Sequence, residues 1–283
     1  MKLATAIVAG RTRFGAVTND GFVDLSARFG ERCVGLQGLL AGGLLGEAER
    51  LVRGAAADYK LADLRFLPVI PNPEARIFAL GWSYKSHQTE TGHADAEFPS
   101  VFSRLPQSLV GHGEPLVRPR ASTQFDFEGE IVVLIGKAGR HIPIDHAMSH
   151  IAGYSIMVDG SLRDFQKHSV TAGKNFDASG SYGPWMVTRD EIPDWGKMEL
   201  TTRLNGTRMQ HSAFGLLNWD LAFVVNYIST FTRLLPGDGI STGTPAGVGH
   251  RRDPQVFMKA GDVLEVEVSG IGTLRNPVAD EQI

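Results

Sequence analysis

The sequence predicts a β-rich α+β fold, and three observations carry that prediction. Short apolar β runs outnumber helical stretches, the runs do not alternate with helices as βαβ units would, and one long segment alone is convincingly helical. A length of 283 residues suits one large domain, or a main domain with a small extra one.

The elements follow in order. TAIV and RFGAVT flank the turn residues Asn19-Asp20-Gly21, and GFVDL follows, which predicts a hairpin-rich start. GEAERLVRGAAADY reads as a helix rich in Ala and Glu. The prolines of PVIPNP, residues 68–73, mark a boundary, dividing the chain into a small unit, 1–70, and a larger one, 71–283. ARIFALGW is a strand, residues 83–114 show almost no periodicity, and EIVVLIG and GYSIMVD are apolar β runs. LTTRLNGTRMQ is a hairpin around Asn205-Gly206. WDLAFVVNYISTFTRLL is the long helix, with Asn218 or Asp220 as its cap and Pro236-Gly237 as its stop, and DVLEVEVSGIGTL closes the chain with alternating strands. Repeats and low-complexity tracts are absent.

Composition excludes several function classes. The chain is 42% hydrophobic and 21% charged, an ordinary enzyme-like balance. A net charge of −3 without a Lys/Arg stripe argues against nucleic acid. The single cysteine, Cys33, rules out an internal disulfide framework and a Cys-based zinc site, and fits a reducing cytoplasm. The opening MKLATAIVAGRTRFGA reads as a first strand, because its apolar run stops at Gly10 and meets Arg11 and Arg13, and no apolar run reaches the length of a membrane span.

The chemistry begins at FDFEGEIVVLIG, residues 125–136. In a strand, Asp126, Glu128 and Glu130 point to one face, where like charges repel and desolvation is costly unless a cation faces them. A solvated sheet face is the commoner fate of such a pattern, but the apolar VVLIG that follows is typical of a buried strand. Asp159 ends the apolar run AGYSIMV. Two Glu and an Asp so placed are hard oxygen ligands that suit Mg²⁺, Mn²⁺ or Ca²⁺.

Together FDFEGEIVVLIGK, IAGYSIMVDGSLRDFQ, GKNFDASGSYGPWMVTRDEI, LNGTRMQHS, LLPGDGISTGTPAGVG and AGDVLEVEVSGIGTLRNPV resemble the fumarylacetoacetate hydrolase family, in the family's order, from about Ala75 to the C-terminus. The resemblance implies a mixed β-roll/β-sandwich core with a small N-terminal α/β unit, a homodimer, and a divalent metal on Glu128, Glu130 and Asp159, with Asp126 a supporting or structural acid.

It also assigns roles. His87 and Glu90 in GWSYKSHQTETG, three apart, match the family's H-x-x-E pair, in which Glu orients a His that activates water; without the resemblance this would read as a surface His in a mobile loop, and nearby His93 does not match. Lys174 in AGKNF, otherwise an ordinary surface charge, matches an active-site lysine that would stabilise an enolate or oxyanion. Arg163 and Gln166, three apart after Asp159, are expected to reach a ligand's carboxylate or keto oxygens, Arg163 by a bidentate fork. Thr244 in STGTPAGVG, which composition alone would make a plain turn, is expected to hold a 2-oxo acid's carboxylate through its hydroxyl.

Two positions depart from the family's pattern. Arg104 stands where many members carry Lys, and is expected to favour a carboxylate at the far end of the substrate; Gly160 replaces a small apolar residue. The polar stretch 83–100, with Gly92 as a hinge, is expected to be a mobile lid carrying His87. The activity implied is metal-dependent carbon–carbon hydrolysis of a 2,4-dioxo acid. Decarboxylation or isomerisation of a 2-oxo dicarboxylate is the alternative, and a non-catalytic ligand-binding relative is the third reading.

Overall fold

The computed structural model describes every residue except His93, Asp95 and Ile283. Among these residues eleven strands join one mixed sheet. Its main path runs Gly21–Asp24, Arg11–Thr18, Lys2–Val8, Gly180–Thr188, Ile151–Val158, Gly129–Ile135, Gly239–Ser241, Ile77–Gly81 and Ser100–Arg104. A second sheet of five strands holds Thr207–Ala213, Glu199–Leu204, Val263–Val268, Gly272–Asp280 and Leu116–Arg118. The fold is thus strand-rich α+β. The N-terminal hairpins extend the large sheet through the pairs Lys2↔Val187 and Leu3↔Met186.

The central strands Gly129–Ile135 and Ile151–Val158 are buried along their whole length. Alternation sends Ile131, Val133 and Ile135 into a core shared with Leu200 and Val266 of the second sheet. Val132, Leu134 and Met157 enter a separate core with Leu36 and Leu39 of the N-terminal helix Gly35–Ala41. Burying each such side chain contributes about 1.5–3 kcal/mol. Glu128 and Glu130 share the face of Val132 and Leu134, so the acidic site lies where that apolar face ends.

Local signals held with some shifts. Asn205 and Gly206 turn the hairpin with φ of 51° and 78°, the backbone that Asn-Gly supplies cheaply. The long helix is Leu221–Phe231; Asp220 is its cap, accepting from Phe223 N, whereas Asn218 donates to the Trp82 carbonyl. It stops before Pro236 because Thr232 is already extended. The helix expected in GEAERLVRGAAADY is Leu45–Val52, ended ahead of Gly54 (φ 73°), and the short helices Leu25–Phe29 and Gly35–Ala41 carry no such sequence signal. Residues 83–114, aperiodic in sequence, contain the helix Lys85–Thr91 and the edge strand Ser100–Arg104. Among the described residues no helix is long and apolar enough to cross a membrane.

Gly160 follows Asp159 in a space that admits no side chain: a Cβ there would lie 1.8 Å from the Ser179 carbonyl oxygen. Gly160→Ala is expected to lower stability by about 1–3 kcal/mol, as overpacking does. Urea unfolding checks this, and an unchanged midpoint would show that the backbone there yields freely.

Candidate metal centre

Sheet register assembles the acids. Gly129 pairs with Val158 and Glu130 with Met157, and the Asp159 amide continues the ladder by donating to the Glu128 carbonyl at 2.8 Å. Glu128 and Asp159 therefore stand opposite each other, with Glu130 two residues along on the same face. One oxygen from each of the three acids lies within 4.8 Å of the others, and all three residues are buried. Carboxylate oxygens alone make a donor set for a hard divalent cation, so the residues fit such an ion.

Cations surround this triad. The Lys174 ammonium donates to Glu128 Oε2 at 2.6 Å and to Asp159 Oδ2 at 2.5 Å. Arg163 donates from Nε to Asp126 Oδ2 at 2.8 Å and from Nη1 to Gln166 Oε1 at 3.0 Å, while Nη2 lies 2.7 Å from Glu128 Oε1. Burial pushes Glu128 up, but Lys174, Arg163 and His87 outweigh it and leave the carboxyl at about 2. Glu130 goes the other way: burial first, then the charges of Asp159 and Glu128, raise it well above the usual carboxylate range. Lys174 is disfavoured as an ammonium by burial, yet Asp159 and Glu128 more than offset this and raise its pKa.

The structure places each expected residue. Glu128, Glu130, His87, Lys174, Arg163, Gln166 and Thr244 line one cavity of about 440 Å³. Glu90 stands behind His87, its Oε2 3.0 Å from His87 Nδ1, on the helix Lys85–Thr91. Several expected contacts are redirected. Arg104 does not line the cavity; its guanidinium is fully buried and donates from Nη1 to Asp159 Oδ1 at 2.7 Å, so it grips a protein carboxylate and not the substrate's far end. The Arg163 fork bridges two acids of the protein itself. The Thr244 hydroxyl spends its proton on the Gly129 carbonyl and accepts from Gln210 Nε2 at 2.7 Å, which leaves it no proton for a ligand carboxylate. Asp126 stands apart from the triad, receiving the amides of Gly249 and His250.

The stretch 83–100 docks better than its polarity suggests. Tyr84, His87 and Gln88 are buried, and Phe98 stacks 5.3 Å from Tyr227 of the long helix. Gly92, expected as a hinge, is the left-handed cap of the helix. His93 lies outside the described residues. Two residues near the site went unassigned in the sequence. Ser241 donates to Glu130 Oε2, and Gln210 joins the Gly129 amide to Thr244 and the Pro245 carbonyl. Ser241 sits within a quoted motif as a small turn residue, and Gln210 carried no signal beyond its motif.

A buried acid triad at the end of two central strands, with Glu128 and Glu130 lining a cavity, defines a class, the divalent-metal enzymes with an all-carboxylate centre. The chain belongs to the fumarylacetoacetate hydrolase family: residues 76–279 match the family model for the fumarylacetoacetate (FAA) hydrolase C-terminal domain. It is 35% identical over 271 residues to a 2,4-didehydro-3-deoxy-L-rhamnonate hydrolase from Sphingomonas sp., covering 89% of this chain and 95% of that one. It is 36% identical over 221 residues to a mitochondrial oxaloacetate tautomerase from Xenopus laevis, covering 77% and 69% of the two chains. Among solved structures it resembles maleylpyruvate hydrolase from Sphingobium sp. SYK-6 in complex with manganese(II) and pyruvate, at 25% identity and TM-score 0.84 over the full length of both chains.

Glu128→Ala, Glu130→Ala and Asp159→Ala are each expected to lower divalent-ion affinity by at least about tenfold while the protein stays folded. Isothermal titration with Mn²⁺, beside circular dichroism, checks this; undiminished Mn²⁺ binding in any one variant would remove that acid from the centre.

Proposed function

We propose that this chain is a metal-dependent hydrolase that cleaves a carbon–carbon bond in a 2,4-dioxo acid. The observation that supports it most is buried His87, which lines the same cavity as Glu128 and Glu130 and is paired through Nδ1 with Glu90 behind it. The metal would be Mg²⁺ or Mn²⁺, with Ca²⁺ chemically admissible; when bound, it supplies Lewis acidity to the 1-carboxylate and 2-oxo oxygens of such a substrate. Glu90 holds His87 Nδ1, which fixes the tautomer and leaves Nε2 to accept a proton from water. Water so activated adds to the distal carbonyl, and the C3–C4 bond then breaks. Lys174 offers a positive charge to the oxyanion that develops, and the Gln166 amide nitrogen remains to orient an oxygen of the substrate. Pyruvate, or a substituted relative of it, and a second acid are the products.

The likeness to an oxaloacetate tautomerase supports a second reading, enol–keto exchange or decarboxylation of a 2-oxo dicarboxylate. Tautomerisation moves protons without adding water. A non-catalytic role has the least support, since His87 and Lys174 line the cavity and Glu90 is paired with His87. We place the enzyme in the cytoplasm as a homodimer, on the single cysteine and the family resemblance.

The test is a panel of acylpyruvates, 2,4-dioxo sugar acids and oxaloacetate, with and without chelator. Chelator-sensitive cleavage of a 2,4-dioxo acid is expected, and His87→Ala is expected to slow it by about 10²-fold. Turnover of oxaloacetate with no cleavage across the panel would replace the first reading by the second. Cleavage that survives His87→Ala would remove the role given to His87.

A further inference from the structure

We propose that Arg104 and Ser241 are positioning residues that make two of the metal ligands one-toothed, and so bias the centre toward small octahedral cations over Ca²⁺. This rests on the metal-centre reading above and goes beyond it, since an all-oxygen donor set alone admits all three ions.

Arg104 is the fuller case. Its side chain is wholly inaccessible to water. Nε donates to Ser108 Oγ at 3.0 Å, Nη1 to Asp159 Oδ1 at 2.7 Å and to the Gly160 carbonyl at 2.8 Å, and Nη2 to Ser179 Oγ at 2.9 Å. Anchors on three sides leave the guanidinium little freedom. The cavity that holds it is built from small residues: a Cβ on Gly180 would come within 2.4 Å of Nη2. Asp159 Oδ1 is therefore pinned by the anchored guanidinium, and Oδ2 faces the Lys174 ammonium that also holds Glu128.

The same device recurs at Glu130 by different means. Its Oε2 receives the Ser241 hydroxyl at 2.5 Å and the Gly243 amide at 3.0 Å, and among the described residues no hydrogen bond falls on Oε1. Both donors belong to the strand Gly239–Ser241 and the turn after it, which is paired into the sheet beside Gly129–Ile135. Glu128 has Arg163 on one oxygen and Lys174 on the other. Glu130 thus presents one uncommitted oxygen, and Asp159 presents Oδ2, whose partner is the single Lys174 ammonium and not the anchored guanidinium.

Denticity matters to the choice of ion. Ca²⁺ gathers about six to eight oxygens and often takes carboxylates bidentately, whereas Mg²⁺ holds about six in near-ideal octahedral geometry and keeps several waters. A carboxylate whose second oxygen is locked in a charge-assisted hydrogen bond cannot swing to chelate without leaving a buried guanidinium unpaired. The arrangement penalises the larger ion and leaves the smaller one unaffected.

The experiment follows Mn²⁺ bound to the full chain by its electron paramagnetic resonance signal, displaced in parallel by Mg²⁺ and by Ca²⁺. The quantity read is the ratio of the two displacing concentrations in wild type, Arg104→Met, Arg104→Lys and Ser241→Ala. Arg104→Met and Ser241→Ala are expected to shift that ratio toward Ca²⁺ by about tenfold, the scale on which outer partners of metal ligands act. Arg104→Lys, which keeps a donor and a charge, is expected to restore most of the wild-type ratio. A site that is merely loosened would weaken both ions alike, so an unchanged ratio in the variants overturns the proposal. Should Arg104→Met fail to fold by circular dichroism, Ser241→Ala puts the same question at Glu130, and an unchanged ratio there is equally fatal. Wild-type protein that binds no Mn²⁺ is a different failure: it removes the metal-centre reading itself, and the proposal with it.

Discussion

Four carboxylates, Asp126, Glu128, Glu130 and Asp159, are buried within one small region, and the surrounding structure is arranged around the cost of keeping them there. Each unpaired buried ion costs several kcal/mol as an order of magnitude. Three cations answer them, each from a different segment: Arg104 at the end of the edge strand, Arg163 on the helix Arg163–Gln166, and Lys174 at the end of the helix Val170–Lys174. Four acids against three bases leave one negative charge in excess, and Glu130, raised first by burial and then by the charges of Asp159 and Glu128, bears part of that cost. A divalent ion would take the balance one unit beyond neutrality, which suits an anionic ligand such as the 2-oxo acid proposed above.

The backbone around the acids is fixed by side chains as much as by sheet pairing. Asp126 takes the amides of Gly249 and His250, Glu90 takes that of Gly247, and Gln210 reaches the Pro245 carbonyl. The loop after the strand Gly239–Ser241 is thereby held at several points by buried or half-buried groups. Such a loop is stiff at little cost in regular structure, because each polar side chain is satisfied by the backbone it holds. Gly249 shows how close the approach is: a Cβ there would lie 1.8 Å from the Val256 carbonyl oxygen.

What could be read from the sequence was what depends on short range. The two-residue spacing of Glu128 and Glu130, the Asp that ends an apolar run, and the Asn-Gly hairpin are all set by local backbone geometry. Asp126 shares the spacing but not the triad, because its short strand Phe125–Asp126 pairs with Ser161–Leu162 before the long strand begins. The role of Arg104 was invisible for a different reason. Its partner Asp159 lies 55 residues away and its burial depends on Gly180, so no spacing rule connects them. The anchoring of parts of 83–100 was hidden by its polarity: Tyr84 is buried and Phe98 stacks on Tyr227, two positions too far apart to form a periodic pattern.

One carboxylate connects the proposed base to the rest of the site. Glu90 Oε2 meets His87 Nδ1, while Glu90 Oε1 accepts from the Gly247 amide at 2.9 Å. On the functional reading above, the group that sets the tautomer of His87 is also the group that fastens its helix to the loop carrying Thr244. The base cannot leave its place without giving up the bond to Gly247 or the bond to Glu90. If it gives up Gly247, the loop loses one of its anchors; if it gives up Glu90, the imidazole loses its preferred tautomer. Positioning of the base and ordering of the loop over the metal centre are therefore a single equilibrium, in which a substrate that favours the ordered loop also favours a competent His87. The coupling is the same whether the proton comes from water or from the carbon of an enolisable acid. The hydrolase and tautomerase readings thus share this part of the site, and what separates them is whether a water molecule has room to reach the distal carbonyl.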